Sequence, residues 1–203
     1  MVLNNIENVD MILIDKLTEN LPNESVIVYF DLELSGLGED DDILQIAVKC
    51  GEDSLNVYLT PTKNILSAAS EVTGLTNIGN KLYLHNKKLT TIDAQEGLRE
   101  LQKFLMKLER RCIFIANNVS FDSRRLIKTI INNNMLSDFS IISGFSDLLK
   151  LFRKVLPDSK GTGMFKVRTL SNEFLSGENV NKLHNAYFDV VNLEKFVKVI
   201  ASE

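Results

Sequence analysis

The chain has 203 residues, 44% of them hydrophobic and 25% charged, with only three prolines. That balance describes a folded globular domain and excludes a fibrous, collagenous or intrinsically disordered chain. Its 23 lysines and arginines against 27 aspartates and glutamates leave a formal net charge of -4, so no global basic field draws it to nucleic acid or to an anionic membrane.

Two cysteines, Cys50 and Cys112, each in an apolar run, are too few for a disulfide framework and point to a reducing, intracellular compartment, cytoplasmic or nuclear. No window approaches the roughly 20 apolar residues of a membrane span, and no membrane partner is expected. Residues 1–24 place Ile6, Val9, Leu13, Leu17 and Leu21 at helical spacings, closed by Leu21-Pro22-Asn23. This predicts a helical segment packed on its own domain. With Glu7, Asp10, Asp15 and Glu19 and no basic start, the segment is expected to be neither a secretory signal nor a mitochondrial presequence.

Residues 25–203 read as one main domain. From Ser25 to Leu34 runs a β-branched and aromatic stretch, the signature of a central strand buried on both faces. The turn residues Gly36 to Asp42, then Ile43 to Cys50, then a Gly51 turn and Leu55 to Thr60, predict three antiparallel strands joined by hairpins. Glu39 to Asp42 is read as a solvated turn, since consecutive carboxylates cannot all point inward. Asp93, with Glu96 three residues on, caps a helix carrying Leu98, Leu101, Leu105 and Leu108. A short strand from Cys112 to Ala116, a helix through Arg125 to Ile131, a strand around Phe139 to Ile142 and a helix from Asp147 to Leu156 follow. A final helix carries Val190, Leu193, Phe196, Val197 and Ile200. A β-meander followed by β-α-β-α units predicts a mixed α/β sheet flanked by helices.

Three places break these patterns. Asp31 and Glu33 are two residues apart in a strand and so share a face; carboxylates projecting from an apolar central strand need either cations to neutralise them or a strand end open to solvent. Phe121-Asp122 follows the Cys112 to Ala116 strand, at the carboxyl end where open α/β sheets gather ligands, and Asp there also suits a helix start. His184 and Asp189 lie five residues apart at the opening of the last helix. Five helical residues turn through about 500°, so the two converge only if His184 precedes the helix and Asp189 sits one turn inside it.

The order Phe30-Asp31-Leu32-Glu33, then Asn118-Val119-Ser120-Phe121-Asp122, then His184-Asn185-Ala186-Tyr187-Phe188-Asp189 resembles the three signature motifs of the DEDDh 3′-to-5′ exonucleases. That superfamily includes bacterial proofreading subunits and three-prime repair exonucleases. Val72-Thr73-Gly74-Leu75-Thr76 is similar to the nucleotide-contacting loop of the family, and the stretch opening at Asp147 to its helix start between the second and third motifs. The likeness spans about residues 25 to 200. One departure is Ala116-Asn117-Asn118 where members often carry Ala-His-Asn.

The resemblance implies a ribonuclease H-like, five-stranded mixed sheet and release of nucleoside 5′-monophosphates from the 3′ end of DNA or RNA, single-stranded or frayed. It implies Asp31, Glu33, Asp122 and Asp189 as ligands of two divalent cations, Mg²⁺ or Mn²⁺, roughly 4 Å apart, the spacing that clamps both oxygens of an in-line displacement. His184 becomes the general base. By the same resemblance the backbone at Leu34 and Ser35 meets the terminal sugar, while Val72, Leu75 and Phe121 pack on the last bases and Asn118 contacts the substrate. Arg124, Lys166 and Arg168, with Arg125, Lys128 and Lys160 nearby, are basic residues placed to hold phosphates; Lys160, Lys166 and Arg168 are read as lying in a glycine-containing loop. Some members dimerise through a sheet edge, so Leu55 to Thr60 is a candidate edge for a homodimer or a larger assembly. A second reading is a catalytically silent exonuclease-like domain that binds nucleic acid or a protein partner. The net charge of -4 equals the four expected ligand carboxylates, so the acidic balance does not exclude a polyanionic substrate.

Overall fold

A computed structural model describes residues 25–38, 40–156, 161, 163–175 and 182–201. The helix expected over residues 1–24, and Glu39 and Lys160, lie outside the described residues. No helix among the described residues is long and apolar enough to cross a membrane.

Strand β1 (Ser25–Leu34) lies at the centre of a five-stranded sheet. It pairs antiparallel with β2 (Ile43–Cys50), which pairs antiparallel with β3 (Asp53–Tyr58). The three strands form the expected meander. The turn between β1 and β2 is tight: a Cβ on Gly36 would meet Asp41 Oδ2 at 2.5 Å and Leu66 Cδ1 at 2.7 Å, so a larger residue would force them apart. Between β3 and the next long helix the chain builds α1 (Ser67–Thr73) and a small antiparallel sheet of β4 (Leu75–Asn77), β5 (Leu82–Leu84) and β6 (Lys87–Lys88). Their strands are two or three residues long, too short to produce a readable alternation.

Helix α2 (Ala94–Lys107) starts where its cap predicts, with the Asp93 side chain accepting from Glu96 N at 2.8 Å. Strand β7 (Arg111–Ala116) then runs parallel to β1, and helix α3 (Val119–Asn132) leads to β8 (Ile142–Asp147), parallel to β7. The sheet order is β3-β2-β1-β7-β8, leaving β3 and β8 as its edges. The strand expected around Phe139 to Ile142 is displaced: Phe139 closes a 3₁₀ turn over Leu136–Phe139 and is fully buried, and the strand begins at Ile142. Ser143, Gly144 and Ser146 carry little strand propensity, and it is pairing with β7 that makes them a strand. Helix α4 (Leu148–Val155) is capped by Asp147, which accepts from Leu149 N at 3.0 Å. Helix α5 (Val167–Phe174) occupies part of the segment expected as a loop, and α6 (Ala186–Ala201) closes the fold.

Alternation along β1 sorts the core into two layers. Val28, Phe30 and Leu32 face α2 and α3 together with Ile46, Val48 and Phe114. Ile27 and Tyr29 face the other way, with Ala47, Ile113 and Ile115, against α4, α5 and α6. Asp31 and Glu33 continue the Tyr29 row beyond the apolar packing. The first layer holds an aromatic cluster in which Phe114 lies 5.0 Å from Phe30 and 5.8 Å from Phe145 between ring centroids.

Phe114→Ala is expected to lower unfolding free energy by about 3–5 kcal/mol in denaturant titrations, and Asp93→Ala by about 1 kcal/mol. A loss below about 1 kcal/mol for the phenylalanine would contradict its place at the centre of this layer.

Candidate active site

The four expected ligand carboxylates come from three elements. Asp31 and Glu33 lie at the end of β1, Asp122 in the first turn of α3, and Asp189 in the first turn of α6. Single carboxylate oxygens of Asp31, Glu33 and Asp189 all lie within 4.8 Å of one another. Asp122 lines the same cavity, of about 440 Å³, with Asn117, Lys166, Arg168 and His184. Glu33, Asp122 and Asp189 are each at most 8% exposed.

Burial of so much like charge governs their proton affinity. Desolvation, then the carboxylates of Asp122, Asp189 and Glu33, hold the Asp31 carboxyl well above the usual range. Burial and the charges of Asp189 and Asp122 push Glu33 up to about 8. Asp122 rises to about 8 and Asp189 to about 7, both through burial foremost, with partial relief from Arg125 in the first case and from the His184 backbone N–H and Arg168 in the second. Asp189 Oδ2 accepts from His184 N at 3.1 Å, while its buried Oδ1 has no hydrogen-bond partner among the described residues. An unpartnered buried carboxylate oxygen beside two further carboxylates is a fit for a divalent cation with oxygen ligands.

His184 precedes α6, as the five-residue spacing requires, with a left-handed φ of 63°. Burial, then the positive charges of Arg168 and Lys166, lower its pKa, so the imidazole is neutral and able to accept a proton at neutral pH. Lys166 stands at the N-cap of α5 and Arg168 in its first turn. The expected loop is thus a helix start that brings both cations to the cavity wall.

A second cavity of about 420 Å³ adjoins the first and is lined by Leu34, Leu37, Leu66, Val72 and Phe121. Phe121, Leu32 and Glu33 border both. Leu37, Leu66 and Val72 are 78%, 55% and 53% exposed, an apolar surface left uncovered beside the carboxylates. Arg125 secures this wall: its guanidinium carbon lies 4.9 Å from the Phe121 ring centroid, and its Nη2 donates to Leu37 O at 2.7 Å.

The remaining expected contact residues lie outside the lining of the acidic cavity. Leu75 is 1% exposed and packs with Leu44 and Leu82 beneath the small sheet. The Ser35 hydroxyl is fully buried and accepts from Asp42 N at 2.8 Å, closing the turn after β1. Arg124 is exposed on α3 and lines neither cavity, and Lys128 pairs with Asp40 at 2.7 Å. Asn118, with φ 61°, turns its side chain to solvent while its N–H donates to Asp147 Oδ1 at 2.9 Å. It is Asn117 that borders the acidic cavity, donating from Nδ2 to Phe165 O at 3.2 Å and leaving its buried Oδ1 unpartnered among the described residues. The inward parity of Ile113 and Ile115 continues to Asn117 two residues on, a signal that strand alternation contains.

No family model and no curated protein matches the sequence of the chain. Among solved structures, it is similar in fold to Exonuclease X in complex with 5′-overhanging duplex DNA. The TM-score is 0.50 at 15% identity, over 85% of this chain and 92% of that one. The mixed α/β architecture, a five-stranded sheet flanked by helices, is therefore ribonuclease H-like, as expected.

Unfolded carboxyls titrate near 4, so above that pH the metal-free native state retains protons that the unfolded chain has released. The stability that Glu33, Asp122 and Asp189 permit is complete below about pH 4 and declines as pH rises through their folded values, about 7 to 8. The melting temperature of chelator-treated protein is expected to fall between pH 6 and pH 8.5. Saturating Mg²⁺ or Mn²⁺ should raise it more at the higher pH, where cations compete with fewer protons. Equal metal stabilisation at both pH values would contradict a shared cation site.

Proposed function

We propose that the chain is a divalent-metal-dependent 3′-to-5′ exonuclease acting on DNA or RNA. The observation that carries this reading is the convergence of four carboxylates from β1, α3 and α6, three buried and Asp31 half-buried, beside an open apolar pocket. All four carboxylates and the histidine also follow the motif order of the DEDDh exonucleases in sequence. The fold likeness to a DNA-bound exonuclease agrees with the same reading.

Asp31, Glu33, Asp122 and Asp189 would hold two divalent cations, Mg²⁺ or Mn²⁺, whose chemistry is to neutralise phosphoryl charge and acidify water. A neutral His184 ring nitrogen takes the proton of the attacking water, and its lowered pKa keeps it in the accepting form. Lys166 and Arg168, at the start of α5, grip the phosphate that enters the cavity. The terminal base enters the pocket formed by Leu34, Val72 and Phe121, where apolar packing accepts any base. Phe121, between the two cavities, separates the last base from the phosphate to be cut. The backbone of Leu34 and Ser35 borders the terminal sugar.

Digestion of 5′-labelled DNA and RNA strands with Mg²⁺ or Mn²⁺ is expected to give ladders shortened from the 3′ end. Asp31→Ala and Asp189→Ala should abolish them, and His184→Ala should lower turnover by about 10²- to 10⁴-fold while cation binding persists. Intact substrate in every lane with either metal would favour the silent binding domain over the enzyme.

A further inference from the structure

Gln45 is a polar residue in an apolar stretch of the sheet. It is fully buried in β2 between Leu44 and Ile46, and a buried amide is tolerated only when its donors and acceptor are paired. In register it stands opposite Glu33 on one side and Tyr58 on the other. Directly opposed residues of antiparallel strands share a face, so Glu33, Gln45 and Tyr58 form one row beneath the start of α6.

That row grips the corner that presents His184. Gln45 Oε1 accepts from Ala186 N at 3.2 Å, satisfying an N–H at the helix start that has no intrahelical partner. Gln45 Nε2 donates to Asn185 Oδ1 at 3.2 Å and to Asn56 Oδ1 at 2.8 Å. Asn185 Nδ2 in turn donates to Tyr58 Oη at 2.8 Å. On the other side of the corner, His184 N donates to Asp189 Oδ2. His184 itself has a φ of 63°, a conformation that a residue with a Cβ keeps only when its surroundings hold it.

We propose that Gln45 is a positioning residue that, through Asn185 and Ala186 and with Tyr58 as outer support, holds the His184 corner in its left-handed conformation over the acidic cavity. The proposal rests on the reading of His184 as the base. A side chain with both an acceptor and a donor is needed, because the corner offers a backbone N–H and a side-chain carbonyl to the same point. Methionine fills a similar volume and provides neither.

The test compares kcat and KM on a labelled oligonucleotide for the wild type, Gln45→Met, Tyr58→Phe, His184→Ala and the Gln45→Met/His184→Ala double variant. Mn²⁺ affinity and amide hydrogen exchange are measured alongside. Gln45→Met is expected to lower kcat roughly 10- to 100-fold, with KM and Mn²⁺ affinity within about twofold of wild type. In the His184→Ala background the same change should alter kcat by less than about twofold, since its effect passes through His184. Tyr58→Phe, which removes one hydroxyl and leaves the core intact, should lower kcat by about two- to fivefold in the same manner. Exchange at the Ala186 amide should accelerate in Gln45→Met while β1 and β7 stay protected. A kcat loss of the same size with and without His184, retention of wild-type kcat, or unchanged exchange at Ala186 would overturn the proposal. An inactive wild type would instead remove the exonuclease reading, and Ala186 exchange would still report whether Gln45 holds the corner.

Discussion

Four carboxylates occupy one largely dehydrated volume at the end of the central strand, and the rest of the site is arranged around the repulsion this creates. Alternation on β1 makes the arrangement unavoidable: the face that carries Ile27 and Tyr29 into the apolar layer beneath α4, α5 and α6 carries Asp31 and Glu33 two and four residues beyond Tyr29. Apolar packing ends where the acid begins. Helix α6 then delivers Asp189 and α3 delivers Asp122, each in a first helical turn, where unpaired backbone N–H groups favour negative charge. Burial raises the proton affinity of all four, and repulsion from neighbouring site carboxylates adds to it at Asp31 and Glu33; a divalent cation is the chemistry that would offset it.

Around this centre the surface divides by chemistry. Lys166, Arg168 and His184 border the carboxylates, while Leu34, Leu37, Leu66 and Val72 form an open apolar pocket next to them. Phe121 belongs to both and is held by Arg125, which reaches back to the turn after β1 through Leu37 O. A phosphate and a base attached to the same sugar differ in the same way, one anionic and one flat and apolar. Cavities of opposite character that share a wall suit such a ligand better than either a metabolite anion or a lipid.

Much of this was legible locally. The meander, the Asp93 cap, the helix start at Asp147, the strand at Cys112 to Ala116 and the placement of His184 before α6 all follow from short-range rules of alternation, capping and helical turn. Strand β8 leaves little local signal, because Ser143, Gly144 and Ser146 take their strand geometry from β7 rather than from their own propensities. Helix α5 was hidden behind glycines that precede it, and the small sheet of β4, β5 and β6 is too short for any period to show. Leu75 and Asn118 were drawn toward the substrate by their motifs; burial beneath Leu44 and Leu82 claims the first and a left-handed turn points the second outward.

The amino-acid order by itself determined the strand parity that puts Asp31 and Glu33 on one face and the spacing that separates His184 from Asp189 by a helix boundary. These are properties of backbone geometry over a few residues and need no partner. Only the tertiary structure decided that β1, α3 and α6 meet at one point, that Asn117 rather than Asn118 borders the cavity, and that Gln45, 140 positions from Asn185 in sequence, grips the corner carrying His184. Such contacts depend on how layers pack across a sheet, and the side chains that make them carry no mark of it in their immediate neighbours.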